Sequence, residues 1–129
     1  MSIIVGYTGS VIVDQLRMEW QEKNAVWVVR LGGRLRLGEA RALFDALVER
    51  VGEGGKGLIV NLDKLERVDS SGIGSLVNAA AKLAGRARFV GLDKRVGPLL
   101  AVCKLVSTLP QSASEEEAGQ ELGQAVAAT

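Results

Sequence analysis

The chain contains no histidine. That absence removes Ser-His-Asp and Cys-His catalysis, histidine metal sites, and histidine as a proton switch near neutral pH. Cysteine occurs once, at Cys103, which excludes an intramolecular disulfide and a cysteine metal cage. A lone thiol on an apolar helical stripe reads as core, and the chain as a whole fits a reducing, cytoplasmic setting. Carboxylate or lysine chemistry survives these exclusions, but no ligand set stands at recognised metal spacing. The expectation is a protein that binds, with no enzymatic activity and no cofactor. Aromatic residues are also scarce, at 4%. Trp20 and Trp27 lack the neighbouring aromatics and basic groove that single-stranded nucleic acid requires, so they are expected to pack.

Neither sign of charge is in excess. The formal net charge is +1 over 129 residues, which draws neither nucleic acid nor an anionic membrane. No long hydrophobic run is present. Ile3 to Val5 and Val11 to Val13 are interrupted by Gly6, Thr8, Gly9 and Ser10, too short to span a bilayer. The same stretch lacks the basic start and cleavage site of a signal peptide, so it reads as a strand or hairpin on the domain. With 47% hydrophobic and 24% charged residues, the chain has the composition of one globular domain with its own core.

Periodicity orders the remainder. Leu16, Met18 and Trp20 alternate with Arg17, Glu19 and Gln21 as in a half-buried strand. Ala25 to Leu31 is a second strand, which Gly32-Gly33 is expected to break. Ala40, Leu43, Phe44, Leu47, Val48 and Val51 then recur at helical spacing, with Glu39 off that stripe. Leu58 to Leu62 is a short apolar strand buried on both faces, and Asp63 to Asp69 a connection. A helix from about Ser71 to Ala84 should end at Gly85 in the left-handed conformation. Ala87 to Leu92 is a strand, Val96 to Cys103 a helix with Pro98 in its first turn, and Leu105 to Leu109 an edge strand stopped by Pro110. Ser114 and Glu117 form a capping box for a last helix carrying Ala118, Leu122 and Val126. Alternation after a leading hairpin implies an α/β domain. Its sheet is mixed, with early antiparallel and later parallel strands, about four helices, and the principal helices on a common face.

Two glycine- or aspartate-based sites fail on context. Gly52 to Gly57 has Lys56 followed by Gly57 and a strand, where a phosphate loop needs Ser or Thr and a helix. Asp63 follows a buried strand as a phospho-acceptor would, but Gly32, Gly33 and Arg34 stand where a cation's acidic ligands should be. Arg67-Val68-Asp69-Ser70-Ser71-Gly72-Ile73-Gly74 is different. Ser71, or the serine pair, is placed to cap the following helix. A phosphate on Ser70 would add a charge of about −1.5 to −2 beside Asp69, and a helix N-terminus tolerates an anion. Gly72 and Gly74 leave room for a partner to approach.

The stretch from Asn61 to Gly74 resembles the signature of STAS domains, specifically of anti-sigma factor antagonists, and the likeness extends from about Leu16 to Leu122. The resemblance implies a single STAS-like domain, with 1–15 as an extension or extra strand, 16–122 as the core and 123–129 as a fraying tail. It implies partner switching. The unphosphorylated antagonist binds an anti-sigma factor that is also a serine kinase, phosphorylation of Ser70 ends binding, and a metal-dependent serine phosphatase restores it. ATP belongs to the kinase. Asp69, Ser71, Gly72 and Gly74 are the implied recognition residues. Arg34 and Arg36 join them, because Gly33-Arg34-Leu35-Arg36 carries Arg36 where many members carry Asp. The alternative that keeps the fold is a STAS scaffold or accessory subunit of a regulatory or transport complex without a phosphoswitch.

Overall fold

In a computed structural model of the chain, residues 9–23, 26–52, 57–92 and 109–127 are described. Six strands form one sheet in sequence order: β1 (Gly9–Val13), β2 (Leu16–Lys23), β3 (Val26–Leu35), β4 (Gly57–Val68), β5 (Ala87–Val90) and β6 (Gln111–Ser112). The first three pair antiparallel and the rest parallel, so the mixed sheet expected from the sequence is the one observed. Val13 opposite Leu16 closes the leading hairpin, with Asp14 in the left-handed region at φ 52°.

Three helices lie among the described residues: α1 (Leu37–Gly52), α2 (Ser70–Leu83) and α3 (Glu115–Ala127). The expected helix from Val96 to Cys103 and most of the expected strand from Leu105 lie outside the described residues. The stripes of α1 and α2 bury Leu43, Leu47, Val51, Ile73, Leu76 and Leu83 against Val29, Leu31, Val60 and Leu62. The two principal helices therefore share one face. Alternation along the strands turns Val28 and Ile59 to the other face, where Ala118 and Leu122 of α3 cover them.

Two strands are longer than their sequence patterns suggest. β3 is not broken at Gly32-Gly33 but runs on to Leu35, and β4 continues through the expected connection to Val68. Irregular register near Arg30 to Arg34 lets the pairing resume, with Leu35 beside Val68. Gly33 takes φ 84°, where a side chain would also strike the Gln15 carbonyl, and Gly32 leaves room for the Arg17 guanidinium. The glycines shape the strand rather than end it. At the far end of α2, Ala84 and Gly85 both take left-handed backbone, at φ 48° and 87°. The tryptophans pack as expected, edge to face at 6.0 Å, with the Arg50 guanidinium over both rings.

Candidate functional site

Because β3 and β4 are parallel and end level with each other, the helices that follow them begin side by side at the C-terminal end of these central strands. Asp69 is the single residue between β4 and α2. Its extended backbone makes it the N-cap, and Oδ1 accepts the Gly72 N–H at 2.8 Å. Its Oδ2 accepts the Leu37 N–H, the first of α1, at 3.1 Å. Its own N–H donates to the Leu35 carbonyl at 3.2 Å. The cap therefore belongs to Asp69, not to Ser71 or the serine pair as the sequence suggested. A carboxylate satisfies two orphan donors at once, and the serines fall inside the first turn.

Ser70 is exposed and Ser71 half-buried. Neither hydroxyl is hydrogen-bonded among the described residues. Gly72 is buried, and a Cβ there would lie 2.5 Å from the Leu35 carbonyl oxygen and 2.9 Å from Val68. It seats α2 on the ends of β3 and β4. A Cβ on Gly74 would meet nothing within 4 Å, so that position is open.

Arg36 occupies the N-cap position of α1, where its carbonyl accepts the Glu39 and Ala40 N–H groups at 3.0 Å each. A guanidinium accepts no hydrogen bond, so it cannot cap. Glu39 compensates, accepting the Arg36 N–H through Oε1 and the Gln15 N–H through Oε2, both at 3.2 Å. This carboxylate is 3% exposed, although periodicity placed it off the buried stripe. The signal that could have found it is the three-residue spacing from position 36, half of a capping box. Arg36 itself is exposed, and Arg34, half-buried, stands beside Arg67 across the β3–β4 ladder.

Two grooves meet at Leu37. One, of about 460 Å³, is lined by Leu37, Ala40, Phe44, Ser71, Gly74 and Asn78 between α1 and α2. The other, of about 690 Å³, takes in Asp14, Arg36, Leu37 and Asp69. The arrangement offers an exposed hydroxyl, helix N-termini and apolar relief. Asp63 lies elsewhere, against Gly91 at the end of β5. Among the described residues no group of three His, Cys, Asp or Glu could hold a metal ion.

A second polar cluster ties α3 to the sheet. Arg30 Nε and Nη2 donate to both Glu115 oxygens at 2.9 and 2.8 Å, and Asn61 adds a third bond at 2.7 Å. The Arg30 hydrogen bonds hold the Glu115 carboxyl below its ordinary range against the opposing effect of burial, with Asn61 adding to the shift. Glu115 in turn raises Arg30. At the start of α3, Ser114 Oγ accepts the Glu117 N–H, while Glu117 reaches back to the Ala113 N–H.

Residues 18–107 match the model of a family described as Mlab, STAS domain. The chain belongs to the STAS domain family. No curated protein sequence matches it. Solved structures share the STAS fold. An anti-sigma factor antagonist from Mycobacterium paratuberculosis aligns with a TM-score of 0.72 at 21% identity, over 85% of this chain and 96% of that one. Unphosphorylated SpoIIAA, an anti-sigma factor antagonist of Bacillus, gives 0.68 at 21% identity, over 83% and 96%. A sulfate transporter family protein from Wolinella succinogenes gives 0.65 at 15% identity, over 81% and 90%. At these identities the likeness is one of fold. Among the described residues no helix of this STAS domain is long and apolar enough to cross a membrane.

Proposed function

We propose that this STAS domain is a cytoplasmic anti-sigma factor antagonist whose binding is gated by phosphorylation of Ser70. The observation that carries the proposal is the exposed Ser70, its hydroxyl free of hydrogen bonds among the described residues, next to a carboxylate that caps two helices. Unphosphorylated, the Ser70 edge docks an anti-sigma factor that is also a serine kinase, and the sigma factor is released. Phosphate on Ser70 brings about −1.5 to −2 of charge to a surface built for docking. The helix N-terminus accommodates that charge, so the fold persists while the partner is repelled. A serine phosphatase resets the surface. ATP is the kinase's, and the STAS domain acts by binding, not by catalysis. SpoIIAA, whose fold this chain shares, has both phosphorylated and unphosphorylated forms, in keeping with such a cycle.

A complete switch from 1:99 to 99:1 requires about 5.5 kcal/mol of differential affinity. Repulsion and desolvation at one phosphate supply part of it, and the nucleotide state of the kinase the remainder. Native-lysate pull-down with phosphosite mapping tests the reading. Ser70→Ala should hold the kinase constitutively and Ser70→Asp should bind poorly, whereas equal capture by both variants contradicts it.

The transporter-family neighbour favours a second reading, a STAS scaffold or accessory subunit of a transport or regulatory complex. Stable co-purification with such a complex, with Ser70 unmodified by mass spectrometry, distinguishes it.

A further inference from the structure

We infer that Arg36 and Leu37 select the partner, which presents a carboxylate to Arg36 beside an apolar socket for Leu37. The inference rests on the reading of Ser70 as the gate and adds what the docked protein must look like.

Helix N-caps favour side chains that accept a hydrogen bond, and arginine has no acceptor. Here two other side chains hold the backbone donors at the start of α1. Asp69 takes the Leu37 N–H and buried Glu39 takes the Arg36 N–H. The Arg36 side chain is left without a structural role. It is exposed, and among the described residues it makes no hydrogen bond or ion pair, although Asp14 lines the same groove. The next residue, Leu37, is 74% exposed, the most exposed large apolar side chain among the described residues. A single exposed leucine is ordinary on a protein surface. Its position is what matters, since Leu37 stands at the junction of the groove holding Arg36 and the groove holding Ser71 and Gly74.

An unpaired guanidinium calls for an anion, and its planar fork suits a carboxylate. An adjacent apolar anchor calls for a hydrophobic socket, which a protein offers and a nucleic-acid backbone does not. The occupant is therefore an acidic patch on the kinase. The Asp69–Leu37 hydrogen bond brings Ser70 and Arg36 to the two sides of one contact. Phosphate on Ser70 would repel the incoming carboxylate and also compete for Arg36, so one modification acts twice on the same ion pair.

The test is calorimetric titration of the intact, unphosphorylated protein with each purified serine-kinase anti-sigma factor of its source organism. Arg36→Asp is expected to weaken binding at least about tenfold, the range for losing a close interfacial charge pair, and Leu37→Ala comparably. Arg36→Ser should weaken it less, and a partner Asp or Glu changed to Arg should restore affinity for Arg36→Asp. Ser and Asp are N-cap residues, so Arg36→Ser should melt no lower than the unaltered protein. That separates lost affinity from lost folding. A kinase that binds and is released by Ser70 phosphorylation, yet ignores all three substitutions, overturns the inference and leaves the proposed function standing. If no kinase binds, both fall.

Discussion

Asp69 and Leu37 are hydrogen-bonded across the level ends of two parallel strands, Oδ2 to N–H at 3.1 Å, although they stand 32 positions apart in the chain. The other oxygen of the same carboxylate caps α2. One side chain thus sets the start of both helices that frame the Ser70 edge. Asp69→Ala should cost about 2 kcal/mol in urea unfolding, from two caps at about 1 kcal/mol each. Asp69→Asn, with a single acceptor oxygen, should cost about half as much. Ser70→Ala and Ser71→Ala should stay within about 0.5 kcal/mol of the unaltered protein. A loss at Ser71→Ala equal to that at Asp69→Ala would return the cap to the serine.

The two glycines of the motif should respond with opposite signs. Gly72→Ala forces a Cβ to 2.5 Å from a backbone oxygen that cannot step aside, and should cost about 2–3 kcal/mol as overpacking does. Gly74→Ala enters open space within a helix and should stabilise by about 0.5–1 kcal/mol, the ordinary gain of alanine over glycine there. Thermal melts of the two variants check the pair.

The Arg30–Glu115 contact predicts a pH dependence on the α3 face. Glu115 titrates below its unfolded value because Arg30 and Asn61 bond its charged form. Its contribution is therefore fully present above the ordinary carboxylate range and is lost as pH falls through the folded value. Glu115→Gln should be less stable than the unaltered protein at pH 7 by about 1 kcal/mol, a figure limited by solvent screening of a partly exposed pair. The gap should close on acidification, which denaturant titrations at pH 7 and in the acid limb can follow.

The Ser70 motif was legible as a contiguous stretch resembling the STAS signature. Sequence periodicity made the mixed sheet and the α1 stripe legible, because each is a local pattern repeated at 2.0 or 3.6 residues. It misplaced what depends on distant partners. Gly32-Gly33 has the composition of a break, yet pairing on both sides carries β3 through it. Asp69 looked like a flanking residue because the donor for its second oxygen comes from α1. Glu39 lies off the apolar stripe by periodicity, and its burial follows from its position three residues after Arg36. The departure at Arg36 was visible as a reversed charge, but its release from capping was not, since that depends on both carboxylates.

The proposed switch turns on one charge at one hydroxyl. The most direct measurement compares the affinity of unphosphorylated and stoichiometrically Ser70-phosphorylated protein for the same purified kinase anti-sigma factor, with far-ultraviolet circular dichroism confirming that both are folded. A folded phosphoprotein whose affinity falls by about a hundredfold or more, the effect of about 2.7 kcal/mol, is the predicted result. Equal affinity of the two folded forms would contradict the central claim.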